Sequence, residues 1–138
     1  KGIDSLAHKI TLANGGDCLA VIGGGLHHIY PRENIHLAHL IMQKGLIISE
    51  YPPVVRPKPW HFPMRNRLIS GLSKAILVVE SKRKSGTFIT VERGLEQGKD
   101  IFAVPGSIFS EPSSGTNAWI REGAKLVTCA EDILSEWE

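Results

Sequence analysis

Apolar residues recur along this chain in two alternating rhythms, helical spacings of three and four and short unbroken runs. Residues 4–14 carry Leu6, Ile10 and Ala13 at helical spacing and stop at Gly15-Gly16. Residues 18–22 are a continuous apolar run closed by Gly23-Gly24-Gly25, the pattern of a buried strand. A second helix is predicted over 31–44, with Ile35, Leu37, Leu40 and Ile41 on it and Gly45 stopping it. Leu46–Ile48 reads as the next strand, and a loop with Pro52, Pro53, Pro57, Pro59 and Pro63 follows. The same alternation continues with a helix over 65–72, a strand over 75–79, a helix over 90–97 and a strand over 101–104. It closes with a helix over 115–122, a strand over 125–127 and a helix over 130–137.

Near-continuous apolar strands separated by helices predict a mostly parallel sheet covered on both faces. The expected fold is therefore α/β, a Rossmann-like doubly wound domain of three layers spanning residues 1–138. No internal repeat or low-complexity segment interrupts it. Sites in such sheets lie beyond the carboxyl ends of the strands. The loops to watch are 23–31, 50–63, 80–90 and 105–116.

Composition narrows the classes. At 138 residues, 42% hydrophobic and 22% charged, the chain is an ordinary folded domain rather than a disordered one. Cys18 and Cys129 lie far apart with no CxxC, and His27, His28, His36 and His39 form no HExxH pattern. Neither a disulfide scaffold nor a metal site is expected, and a reducing, cytoplasmic setting fits. No apolar run approaches the roughly 20 residues a membrane span needs. The opening Lys1-Gly2-Ile3-Asp4 lacks a methionine and leads straight into a helical pattern, so the chain reads as a piece of a longer protein.

Charge changes the picture more. Residues 56–84 hold eight basic side chains against the single acid Glu80, a net +7 in a chain whose total is +2. A block of one sign creates a local field that a polyanion feels. Within it, Phe62-Pro63-Met64-Arg65-Asn66-Arg67 sets two arginines around an asparagine at a predicted helix start. The arginine fork pairs with phosphate, the helix end adds partial positive charge, and Phe62 offers a face to a base. Lys82-Arg83-Lys84-Ser85-Gly86-Thr87 follows a strand and precedes a helix; small residues there let backbone approach an oxyanion, with Thr87 a natural helix cap. Gly23-Gly24-Gly25 has the same strand-to-helix placement but matches neither GxGxxG nor GxxxxGK[ST], which argues against a dinucleotide or ATP cofactor.

Several of these blocks recur in order in a known family. Gly2-Ile-Asp4 with Ala7-His8, Ala20-Val-Ile-Gly-Gly-Gly25, Tyr30-Pro31 with Asn34, Ser49-Glu50-Tyr-Pro52 and Phe62-Pro-Met-Arg-Asn-Arg67 come first. Ser70-Gly-Leu72, Val78-Val-Glu80, Ser85-Gly-Thr87 and Phe102-Ala-Val-Pro-Gly106 follow. Together they resemble the DNA-processing protein A (DprA/Smf) family over nearly the whole chain. The resemblance implies a domain that binds single-stranded DNA, commonly dimerises, protects incoming DNA in natural transformation and helps load the RecA recombinase, with no cofactor and no catalysis. It also implies that Lys1 takes the place of a basic residue in a DNA pocket whose walls include Phe62, and that a preceding strand and flanking domains lie outside this chain. The DNA-contacting set expected from residues and resemblance together is Lys1, Gly23, Gly24, Gly25, Phe62, Arg65, Asn66, Arg67, Lys84, Ser85, Gly86 and Thr87.

An enzyme is the competing class, since the fold is similar to that of nucleotide phosphoribohydrolases of the lysine-decarboxylase-like group. Their PGGxGTxxE loop carries an acid/base glutamate. Aligned on Gly86-Thr87, Thr90 stands at that position, and a hydroxyl is no general base at neutral pH without help. Glu92, two residues on, faces elsewhere on a helix. A binder is expected over a hydrolase.

Overall fold

The computed structural model describes residues 2–137. Its contacts divide the chain into two compact units, Lys1–Arg65 and Asn66–Glu138.

The first unit runs α1 (Ile3–Ala13), β1 (Leu19–Val21), a 3₁₀ turn at Arg32–Asn34, α2 (Ile35–Lys44) and β2 (Leu46–Ile48). The two strands pair in parallel, Leu19 opposite Leu46 and Val21 opposite Ile48, with α2 in the crossover between them. A short apolar strand followed by an amphipathic helix must bury both on one core. That core is Leu12, Cys18, Leu37, Ala38, Ile41 and Ile47. The glycine triplet after β1 is buried and held by the proline-rich segment. Gly25 N–H donates to the Val55 carbonyl at 2.7 Å, and Ser49 Oγ donates to the Gly24 carbonyl at 2.7 Å.

The boundary between the units falls within α3 (His61–Leu72). The second unit continues with β3 (Ala75–Val78), α4 (Gly86–Glu96), β4 (Asp100–Ala103), a 3₁₀ turn at Glu111–Ser113 and α5 (Ser114–Arg121). β5 (Lys125–Leu126), α6 (Glu131–Leu134) and a 3₁₀ turn at Ser135–Trp137 complete it. β3, β4 and β5 pair in parallel in that order. Val78, Val91, Ile101, Ala103 and Trp119 form the core, with the Phe88 ring 4.3 Å from that of Trp119.

All strand pairings are parallel, as the alternating pattern predicts, and they resolve into a two-stranded and a three-stranded group. Three helix starts differ from the sequence expectation by four residues; α2 begins at Ile35 rather than residue 31, with Arg32–Asn34 in a 3₁₀ turn before it. α3 begins at His61 rather than residue 65, because a proline in the first turn forfeits only an amide that has no helical partner, so Pro63 is no barrier. α4 begins at Gly86 rather than Thr90, and its cap residue is Ser85, not Thr87. No helix among the described residues is long and apolar enough to cross a membrane.

Candidate functional site

Each unit carries a cleft, the first at the end of β1 and the second beside α4 and α5. In the first, Gly23 and Gly24 follow β1 on the wall of a cavity of ≈ 250 Å³ that also takes in Tyr30, Phe62 and Arg65. Because α3 starts at His61, Arg65 is one turn inside the helix. Its position there comes from a side-chain bond, Nη1 donating to the Val21 carbonyl at 2.6 Å, at the last residue of β1. The guanidinium carbon stands 5.8 Å from the Phe62 ring centroid, a cation–π distance, and the Tyr30 ring centroid lies 5.9 Å from that of Phe62 at a tilt of 50°. Burial pulls the Arg65 guanidinium below its ordinary pKa, and the Asp4 carboxylate acts in the opposite sense. Asp4 shares the cleft with His8 and Asn34, so its polar wall offers both donors and acceptors.

His61 secures this arrangement. It is buried, stacked on Tyr51 with ring centroids 4.0 Å apart, and its Nδ1 lies 3.0 Å from the Gly23 carbonyl. The same Nδ1 lies 3.4 Å from the Lys58 backbone N–H, so the ring nitrogen sits between a carbonyl acceptor and an amide donor and its tautomer decides which of the two it bonds. Gly25 has a different role from the one its sequence position implies. Its N–H is taken by Val55, and a Cβ there would overlap the carbonyl oxygens of Pro52 and Pro53. Only a glycine lets the two backbones approach so closely. Gly25 N–H therefore does not face an anion, and Gly25 does not line the cleft.

In the second unit the β3–α4 loop carries Lys84 and Ser85, and Gly86 and Thr87 open α4. Ser85 Oγ lies 3.0 Å from Ser81 Oγ, and Asn66 Nδ2 donates to the Gly86 carbonyl at 3.4 Å. A Cβ added at Gly86 would meet nothing within 4 Å, so the backbone at the start of α4 is open to an approaching group. This loop is fixed to its neighbour. Ser81 N–H donates to the Pro112 carbonyl at 2.9 Å, Gly115 N–H donates to the Ser81 carbonyl at 2.7 Å, and Lys82 pairs with Glu111 at 2.9 Å. Lys84 lines a second cleft, of ≈ 470 Å³, with Arg83, Phe88 and Arg121. Arg67 is exposed on α3, and its carbonyl accepts from Gln97 Nε2 at 3.0 Å.

The predicted residues thus fall into two groups, Gly23, Gly24, Gly25, Phe62 and Arg65 in one unit and Asn66, Arg67, Lys84, Ser85, Gly86 and Thr87 in the other. Lys1 lies outside the described residues. Sequence reasoning did not single out Arg121 or Phe88; a helix-end arginine far along the chain carries no local signal. Thr90 Oγ1 donates to the Gly86 carbonyl at 3.3 Å, a helix back-bond that supplies no base. Among the described residues no group of His, Cys, Asp and Glu could hold a metal ion.

The sequence matches the pattern of the family described as DNA recombination-mediator protein A over residues 1–138. It is 48% identical over 135 residues to the DNA processing protein DprA of Bacillus subtilis, covering 98% of this chain and 46% of that protein. Identity to DprA of Streptococcus pneumoniae is 49% over 138 residues, covering 100% of this chain and 49% of that protein. The X-ray structure of the S. pneumoniae protein matches with a TM-score of 0.92, at 48% identity, over 100% of this chain and 49% of that one. DNA processing protein A from Helicobacter pylori, whose structure was described for its single-stranded DNA binding mode, matches with a TM-score of 0.81. At 23% identity, over 96% of this chain and 70% of that one, the likeness shows the fold alone. The chain spans about half the length of the B. subtilis and S. pneumoniae relatives.

Proposed function

The chain belongs to the DNA recombination-mediator protein A family, and from that premise we propose that it binds single-stranded DNA by electrostatic capture and stacking rather than turning over a nucleotide. The observation that supports this best is the Arg65–Phe62 pair beside the glycine loop, a cation and an aromatic face on one cleft wall. Phosphate would meet Arg65, Arg67, Lys84 and the open backbone at Ser85–Thr87, and bases would meet Phe62 and Asn66. Gly23 and Gly24 would give the strand a close approach, and Lys1 a further cation. The single-stranded DNA binding described for the H. pylori relative agrees with this reading.

In the cell this activity would protect incoming DNA during uptake and help load the RecA recombinase, in the cytoplasm and as a homodimer. Thr90, at the position of the hydrolase glutamate, is back-bonded to the Gly86 carbonyl and offers no general base there, which counts against the hydrolase alternative.

Binding of this kind is sequence-tolerant and falls steeply with salt. Titrating labelled oligo-dT over a salt series should show it, with single strands preferred to duplex. Replacing Arg65 and Arg67 by alanine should weaken binding about tenfold and flatten the log–log salt slope by about 0.7 for each phosphate no longer neutralised. Melting temperatures measured alongside separate the effect of removing the Val21 bond from that of removing a DNA interaction. Unchanged affinity in a folded variant would remove both arginines from the site.

A further inference from the structure

The basic run 82–84 is not uniform in the folded chain. Lys82 is spent on Glu111 at 2.9 Å, whereas Arg83 and Lys84 turn to the cleft between α4 and α5. Arg121, from the last turn of α5, enters the same cleft. A cation is favoured at a helix C-terminus, so Arg121 sits there without strain. Among the described residues none of these three cations is in an ion pair, and one acid, Glu122, shares the lining. Ala118 contributes only a methyl, which leaves the space open. Phe88 lies half-buried on the wall, its inner contact the Trp119 ring. At ≈ 470 Å³ the volume is in the range of small-ligand sites.

We infer that this α4–α5 cleft is a nucleotide subsite for one unit of single-stranded DNA, with Arg83, Lys84 and Arg121 on the phosphate and the Phe88 ring against the base. The inference rests on the DNA-binding reading above and extends it to a cleft which that reading touches only through Lys84. Three cations converging from two separate elements, with no ion pair among the described residues, select a phosphate, and an aromatic wall beside them selects the base that follows it. The cations are exposed on an open rim. A site for a free mononucleotide would instead enclose most of its ligand. An open rim suits a strand that enters and leaves.

The test uses the same chain and labelled oligo-dT in a salt series. Arg83→Ala with Arg121→Ala should weaken binding about tenfold and lower the salt slope by about 1.4, the equivalent of two single-strand phosphates. Phe88→Leu keeps the apolar volume against Trp119 and should weaken binding several-fold with the salt slope unchanged, since stacking releases no counterions. Lys82→Ala should stay near the parent. If the parent binds oligo-dT and the double arginine variant binds equally well, the subsite is overturned while the broader DNA-binding reading stands. A parent that does not bind oligo-dT removes both. Lys82→Ala weakening binding as much as Arg83→Ala would replace the cleft by a diffuse field, and an unchanged Phe88→Leu would remove the base contact. Displacement of oligo-dT by dTMP at equal nucleotide concentration would reassign the cleft to a free nucleotide.

Discussion

A methyl group added at Gly25 has nowhere to go, whereas one added at Gly86 meets open space. These glycines sit in equivalent sequence contexts, each between a strand and a helix, yet they answer to different demands. Gly25 is a packing residue that lets backbone lie on backbone beneath the cleft. Gly25→Ala should cost about 1–3 kcal/mol, read as a fall in melting temperature, because the clash is with main chain that cannot rotate away. Gly86 is in the first turn of α4, where alanine is the better helix former. Gly86→Ala should hold or raise the melting temperature, by up to about 1 kcal/mol of stability, while weakening oligo-dT binding if phosphate comes to that backbone. Equal affinity in this variant would take Gly86 out of the contact set. Nothing in the spacing of either glycine separates the two roles; only the approach of Pro52 and Pro53 to Gly25 does.

Among the elements, strands were the most legible because each is a short apolar run bounded by glycine, proline or charge. β3 and β4 fall inside or within a residue of their expected ranges, since four consecutive apolar or aromatic residues leave few alternatives. Helix starts were harder to read. Pro63 and Gly86 look like breakers in a sequence, but the first turn of a helix tolerates both, and so α3 and α4 each start four residues early. The shift moves Arg65 off the helix N-terminus and onto the Val21 carbonyl, a contact no local pattern contains. At the C-terminal end, α6 is short and depends on its fixings. Asp132 Oδ2 accepts from Thr128 N–H at 2.7 Å, Thr128 Oγ1 at 2.9 Å and Cys129 N–H at 3.2 Å. These bonds, led by the Thr128 amide, hold its carboxyl below the ordinary carboxylate range. A depressed folded-state value stabilises above the unfolded pKa and loses that contribution as pH falls through the folded one. Asp132→Asn should therefore show a shallower decline of melting temperature below about pH 4 than the parent. An identical acid limb would mean the bonds do not bear on folding.

For the molecule as a whole, the sequence shows where charge is concentrated but not how much of it is available. Of the cations in 56–84, Lys82 is neutralised by Glu111, and Arg65 is partly drawn inward with a donor committed to Val21. Arg121, outside that segment, joins Arg83 and Lys84 instead. The usable field is thus set by the fold rather than by the count of lysines and arginines. The bonds that hold these loops also bear on how the chain can be cut. Ile108 and Phe109 are 84% and 93% exposed at the tip of the β4–α5 loop, an obvious target for chymotrypsin by composition. Yet Asn117 clamps Gly106 through both its N–H, at 3.2 Å, and its carbonyl, at 2.9 Å, and the far end of the loop is tied to Ser81 through Gly115. A protease needs an extended stretch of backbone, which this loop yields only by local opening. Limited chymotrypsin digestion should spare the bond after Phe109 in the parent chain and cut it readily in Asn117→Ala, making nicking rate a direct measure of how firmly the β4–α5 loop is held.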